Sequence, residues 1–397
     1  MLNRTIVSMP GDGIGKIVLN EAIRILNAVN FKANYVEGDI GWEFWKKEGN
    51  PLPERTIKLL EEHKIGLFGA ITSKPKDEAL TELSPKLQNK GLVYSSPIVG
   101  LRQHFNLDIC IRPCRTYKGN PLNFIRRGSG NSIEEPLIDV VVFRQNTEGL
   151  YSGVEWSNPN KQVYGALMTH PKFIKNFGSV PVNELAVSTR IFTKKATERI
   201  LNAAFTYADT YGYNSVTVCE KPNVIRETSG MMYKMAKEIQ KKFSHIELWN
   251  TNIDAQMMWL TKNPEHYGII VAGNMFGDIV SDGFAGLIGG LGFACSANIG
   301  KEVAVFEPTH GSAPKYADYE VPIVNPIAMI ESACLMLYHI NENEISTRIR
   351  KAIAKVIAEG KVRTYDMMKL PGKPDSISLG AASTKQMTDE IIKKLKQ

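Results

Sequence analysis

Cysteine is scarce in this chain of 397 residues: Cys110, Cys114, Cys219, Cys295 and Cys334 form an odd, scattered set. None has the paired spacing of a zinc site and no disulfide frame is suggested; such thiols suit buried positions in a reducing cytoplasm. Long hydrophobic runs are missing too. The richest, Ile327 to Ile340, is interrupted by Glu331, Ser332 and His339, so it falls short of the ~20 apolar residues that cross a bilayer, and no membrane attachment is expected. The first strand-like run, Arg4 to Met9, starts beside Met1 and leaves no space for a leader, so a cytoplasmic protein is expected. Internal repeats and low-complexity tracts are absent. No glycine cluster shows the G-x-G-x-x-G spacing of a standard dinucleotide turn.

A strong charge of one sign is also lacking. Lys plus Arg number 48 against 41 Asp plus Glu, a net +7. No aromatic platform alternates with basic residues as single-strand binding prefers, and Lys393, Lys394 and Lys396 read as the solvated face of a last helix. Nucleic acid is not expected as a partner; the mild basic excess suits an anionic small molecule.

What is present is core-forming material, 43% hydrophobic residues with 22% charged, enough for two domains or one large α/β unit. Thr5 to Ser8 reads as a strand, Pro10-Gly11-Asp12-Gly13-Ile14-Gly15 as a turn, and Lys16 to Val29 as a helix. Ala33 to Val36, Pro53 to Glu62 and Ile65 to Ile71 repeat the alternation, which predicts a mainly parallel sheet with helices on both faces. Strands at Ile109 to Arg112 and Asp139 to Arg144 bracket a polar hairpin, Lys118 to Asn131. From Trp156 to Leu185 no helical period is visible, and a stretch so long should pair with something, a partner subunit being the candidate. Alternation then resumes, with a helix opening near Gly277 and a late strand at Val303 to Phe306.

Three constellations carry chemistry. Asp278 and Asp282 are four apart and share one face of a helix, where two like charges repel unless a cation sits between them. The same spacing would serve a solvated acidic face; Asp254 on a separate helix and the Gly273-Asn274 strand end favour hard-oxygen binding of Mg²⁺ or Mn²⁺. Arg102 lies on the helical segment Ile98 to Leu107, while Arg112 and Arg144 end strands. Each alone would serve a surface ion pair, but three converging guanidiniums suit a polycarboxylate. Tyr151 and Lys221 are candidates for proton exchange with a hydroxy acid, a task most Tyr and Lys residues do not perform. The segment Glu307-Pro308-Thr309-His310-Gly311-Ser312-Ala313-Pro314-Lys315-Tyr316 is a loop whose small residues allow close approach and whose cationic and aromatic groups suit phosphate and adenine.

Together, GDGIG from residue 11, LRQHFNLDICIRPCR, FRQNTEGLYSGVEW, EKPNVIRETSG, NIDAQ, GNMFGDIVSDGFAGLIGGLG, ANIG and FEPTHGSAPKYA resemble the isocitrate and isopropylmalate dehydrogenase family of β-decarboxylating dehydrogenases. The motifs run in family order from residue 11 to about 325. The resemblance implies a doubly wound, two-domain α/β fold. Residues 1–107 and 289–397 would form the large cofactor-side domain, 108–148 and 194–288 the small domain, and 149–193 a clasp interlocking two subunits of a homodimer.

The resemblance further implies that Arg102, Arg112 and Arg144 bind substrate carboxylates and Ser96 the distal one. Asp278 and Asp282, joined by Asp254 from the other subunit, would hold the metal; Lys221, also from the partner, would help remove the hydroxyl proton, and Tyr151 would protonate the carbon that loses CO₂. His310, Gly311, Ser312, Ala313, Lys315, Tyr316, Asn325 and Tyr365 would line the dinucleotide site. Lys315-Tyr316, where NAD-specific members carry Asp-Ile, favours NADP over NAD.

Isocitrate is the substrate that Ser96 and GLRQHFNLDICIRPCRTY favour. Ile98, where isocitrate enzymes usually carry Asn, makes homoisocitrate or 3-isopropylmalate dehydrogenase the second reading. A noncatalytic regulatory subunit is the alternative of another class; it would be expected to lose a metal Asp, Tyr151 or Lys221, all present here.

Overall fold

Apolar runs bounded by turn residues build fourteen strands in the computed structural model, which describes residues 4–397, the side chain of Lys76 excepted. They are β1 (Arg4–Gly11), β2 (Ala33–Glu37), β3 (Ile65–Ala70), β4 (Ile109–Arg115), β5 (Arg126–Arg127), β6 (Ile133–Glu134) and β7 (Asp139–Gln145). The rest are β8 (Glu155–Ser157), β9 (Ala186–Ser188), β10 (Ser215–Glu220), β11 (Glu247–Asn252), β12 (Ile269–Ala272), β13 (Cys295–Ile299) and β14 (Ala304–Pro308). Ten of them form one sheet in the order β11-β10-β12-β7-β4-β13-β14-β3-β1-β2. Both ends are parallel; their inner strands are buried on both faces, as the run Val140, Val141, Val142 and Phe143 in β7 requires, while the edge strands β2 and β11 are partly exposed.

The centre departs from the expected parallel arrangement, because β7/β4, β4/β13 and β13/β14 are antiparallel. Strand β13, with the sequence CSANI, carries no β-branched apolar run and offers no strand signal of its own. It forms because β4 and β14 satisfy its backbone on both sides, so tertiary context overrides weak propensity. The α/β class is as expected, with helices on both faces of a large mixed sheet.

On one face the helix Asn274–Leu287 buries Phe276, Val280 and Phe284 against β7 and β12. On the other, the helix Lys194–Tyr211 buries Ile200, Leu201, Ala204 and Phe205 at i, i+1, i+4, i+5 spacing, starting from a Thr193 cap that accepts the Ala196 N–H. The helix Asn274–Leu287 begins three residues before Gly277, with Gly273 as its N-cap. A further helix, Trp42–Glu48, shows no period in the sequence because it is only two turns long; Trp42 and Trp45 anchor it in a satellite core with Ala79 and Leu83 of the charged segment that precedes Ser96.

The stretch Trp156 to Leu185, expected to lack helix, contains two: Lys161–Leu167, capped by Asn160, and Pro171–Phe177, opened by Pro171 at its first position. Each spans two turns, too short for a periodic signal. Strands β8 and β9 pair antiparallel at the base of this arm. From Tyr151 to Thr193 only Pro159 is buried, so the arm has no core of its own. The polar hairpin also shifts: β5 pairs with β6 at Arg126–Glu134, later than expected.

The glycine turn after β1 is fixed by a bond from Ile14 N–H to the Ser312 carbonyl, 2.9 Å. Gly13 has φ +54°, and a Cβ there would lie 2.1 Å from the Ser312 oxygen. Gly13→Ala is therefore expected to lower the unfolding free energy by about 1–3 kcal/mol, read as a lower urea midpoint at unchanged slope. An unchanged midpoint would show that the turn and the 307–316 loop are not locked together.

Candidate active site

Side chains alternate along strands, so the central strands send one set of residues to each face of the sheet. To one face they present Arg112 from β4, Arg144 from β7, Ser296 and Asn298 from β13, and Glu307 from β14. A cavity of about 620 Å³ opens there, lined by Ser96, Ile98, Arg102 and Arg112 on one side and by His310, Gly311, Ser312 and Ala313 on the other. Ser96 stands at the N-terminus of the helix Pro97–His104, whose last turn carries Arg102.

The three arginines converge, each held by acceptors. Arg102 donates through Nε to Asn298 at 3.1 Å and through a terminal nitrogen to Glu307 at 3.0 Å. Arg112 donates to Asp278, Ser281 and Asp282 at 3.1, 2.8 and 3.2 Å, while its Nε is buried without a partner. Arg144 donates to Asn274 at 3.0 Å and pairs with Asp278. Burial, with Arg112 beside it, depresses Arg144 to about 10. For Arg112, burial acts the same way but Cys110, Asp278 and Asp282 outweigh it, and the net direction is upward. Both guanidiniums stay charged near neutrality.

Asp278 and Asp282 project from one face of their helix, as the spacing predicts, and share Arg112. Burial and the Asp278 charge raise the Asp282 pKa despite Arg112. Tyr151 lies 3.5 Å from the second Asp278 oxygen with its ring under the Arg144 guanidinium at 5.7 Å, and burial followed by the Asp278 charge raises its pKa. Lys221 and Asp254 form a separate ion pair of 2.6 Å. Neither makes a hydrogen bond or ion pair with Asp278, Asp282 or Tyr151 of the same chain, among the described residues.

The 307–316 loop continues from the cavity into a 3₁₀ turn, Pro314–Tyr316. Lys315 sits 4.7 Å over the Tyr316 ring, Tyr316 and Tyr365 lie 5.7 Å apart, and Asn325 donates to Asp366 at 3.1 Å. These candidate residues form a polar and aromatic cluster next to the cleft, outside its lining. The sequence marked the segments that carry Asn274, Asn298 and Glu307 but gave these residues no part in holding the arginines; that role arises only from the pairing of distant strands, which brings them opposite Arg102 and Arg144.

The donor set fits a divalent cation. Asp278 and Asp282 supply hard oxygens whose mutual repulsion a cation would relieve. Among the described residues of one chain no group of three or more His, Cys, Asp or Glu could hold a metal, so further ligands must come from another chain, substrate or water. A dinucleotide fits as well. The His310 Nε2 is buried without a partner, burial keeps the ring neutral by lowering its pKa, and a Cβ at Gly311 would meet nothing nearer than the Ile71 carbonyl at 4.0 Å.

A model of the isocitrate/isopropylmalate dehydrogenase family matches residues 5–391. The chain is 35% identical over 389 residues to Protein DlpA of Legionella pneumophila, covering 98% of this chain but only 58% of that longer protein. It is 37% identical over 390 residues to the homoisocitrate dehydrogenase of Methanocaldococcus jannaschii, covering 97% of each. The crystal structure of isocitrate dehydrogenase from Methylococcus capsulatus superposes with a TM-score of 0.80 at 32% identity, covering 99% of this chain and 100% of that one. Sequence and fold thus agree along nearly the whole chain, which belongs to the isocitrate/isopropylmalate dehydrogenase family of oxidoreductases.

Proposed function

We propose that this chain oxidises isocitrate and decarboxylates the product to 2-oxoglutarate and CO₂, with NADP as hydride acceptor, Mg²⁺ or Mn²⁺ as metal, and a cytoplasmic homodimer as the working form. The supporting observation is the convergence of Arg102, Arg112 and Arg144 with Asp278 around a cleft that also exposes Ser96. Several guanidiniums beside paired carboxylates suit a substrate with several carboxylates chelated to a cation.

When bound, the metal would supply Lewis acidity at the hydroxyl and the dinucleotide would take the hydride. Asp278, Asp282 and the partner subunit's Asp254 would hold the cation. Arg102, Arg112 and Arg144 would orient the carboxylates, with Ser96 at the distal one. The partner subunit's Lys221 would accept the hydroxyl proton, and Tyr151 would deliver a proton to the carbon that loses CO₂. His310, Gly311, Ser312 and Ala313 would approach the dinucleotide closely, with Lys315, Tyr316, Asn325 and Tyr365 around its adenosine phosphate end. Lys315 favours the extra phosphate of NADP over NAD. We divide the chain into 1–107 with 289–397, 108–148 with 194–288, and a 149–193 clasp; residues 1–3 lie outside the described residues.

Homoisocitrate or 3-isopropylmalate is the second reading, favoured by Ile98, an apolar side chain in the cleft lining next to Ser96. Rates for isocitrate, homoisocitrate and 3-isopropylmalate against NADP and NAD, with Mn²⁺, decide between them. Isocitrate with NADP is expected to show the highest kcat/KM. A higher value for either other acid would replace the substrate assignment, and no metal-dependent reduction with any pair would end the catalytic reading.

A further inference from the structure

The central strands that present Arg112, Asn298 and Glu307 to the cleft present Ile111, Ala297 and Phe306 to the opposite face. A second cavity, of about 220 Å³, lies there between the helices Lys194–Tyr211 and Ile327–His339. Its floor is apolar, and Tyr207, Tyr211 and Tyr338 contribute aromatic walls. Tyr211 and Tyr338 meet edge to face at 6.4 Å across it, one from each helix.

Besides Leu335 and the His339 ring, two guanidiniums line it, and neither is fully engaged. Arg115 uses Nε on Asp139 at 2.7 Å and one terminal nitrogen on the Tyr213 hydroxyl at 2.9 Å. Arg350 uses only Nε, on Glu331 at 2.8 Å, and lies 4.9 Å over the Tyr338 ring. One terminal nitrogen of Arg115 and both of Arg350 have no acceptor among the described residues. An apolar floor with aromatic walls and a few fixed cationic donors is the composition of a small-molecule pocket. The walls select a flat ring, and the spare guanidinium donors select one anionic group.

We propose that this back cavity is a second ligand site, for a planar aromatic monocarboxylate. It differs from the front cleft, where Arg102 and Arg112 are engaged by carboxylates, in having three tyrosine walls and guanidinium nitrogens with no acceptor among the described residues. Because adjacent residues of the same strands line both, a ligand behind the sheet bears on the strands that hold Arg112, Asn298 and Glu307 in front.

Calorimetric titration of the full chain with indole-3-acetate tests the proposal, with indole-3-acetamide as the uncharged control. One saturable site per chain is expected, with the acetamide at least tenfold weaker. Tyr211→Ala and Arg115→Gln, both at partly exposed positions, are each expected to weaken indole-3-acetate binding at least tenfold. Thermal unfolding checks that each variant is folded, and either one alone carries the test. Arg102→Gln, on the opposite face, should bind indole-3-acetate as the unaltered chain does. Absence of saturable binding, binding unchanged in both back-face variants, or loss of binding in Arg102→Gln would overturn the assignment.

Discussion

Asp282→Asn is expected to cut metal-dependent turnover by about a thousandfold while leaving the fold intact. The side chain is 57% exposed and, among the described residues, its one ion pair is with Arg112 at 3.2 Å. Arg112 keeps Asp278 at 3.1 Å and the Ser281 hydroxyl at 2.8 Å when Asp282 loses its charge, so no buried cation is stranded. The amide is nearly isosteric and preserves packing on the helix Asn274–Leu287. What disappears is half of the anionic pair that we assign to the cation. Lewis-acid stabilisation is worth several kcal/mol, and each ~1.4 kcal/mol is tenfold in rate, which sets the size of the expected loss. Steady-state rates over a Mn²⁺ titration, with a denaturation midpoint for each protein, measure both halves of the prediction. Full activity in Asp282→Asn without added metal would defeat the metal assignment.

Lys221→Met is expected to lower turnover by about 10²–10⁴-fold, the range for loss of a positioned proton acceptor. The informative part is complementation. Lys221 pairs with Asp254 at 2.6 Å, whereas Tyr151 sits beside Asp278 under Arg144, and the two clusters make no hydrogen bond or ion pair with each other among the described residues. If a working site combines Tyr151 of one chain with Lys221 of another, mixing Lys221→Met with Tyr151→Phe creates dimers holding one intact site and one doubly altered site. Random exchange in a two-fold dimer then restores roughly a quarter of the unaltered rate. No recovery after exchange has been verified by mass would place both residues in one chain's site and remove the need for a dimer in catalysis.

Local physics made much of the site legible before any coordinates. Asp278 and Asp282 were recognisable because 3.6-residue periodicity puts positions four apart on one helical face. Arg144 was recognisable as a charge near the end of an apolar strand; Arg112 was read the same way but lies in the middle of β4, which runs on through Pro113 and Cys114 to Arg115 because β7 pairs with it over its whole length. The α/β alternation of β1, β2 and β3 with their helices was readable for the same reason, since each element carries its own hydrophobic period.

Strand β13 was not readable, because CSANI has no strand pattern and is held by hydrogen bonds to β4 and β14, which are far from it or turned antiparallel to it in sequence. Nor were the antiparallel centre, the short helices of the 156–185 arm, the Glu307 and Asn298 grip on Arg102, or the aromatic cavity behind the sheet. The chain by itself determined which residues are apolar, charged or periodic within a few turns, and therefore the elements and the chemistry they carry. Only the tertiary structure decided which strands become neighbours. That choice sets which face a residue occupies and which distant side chain it meets, because strand partners are selected by packing across the whole sheet.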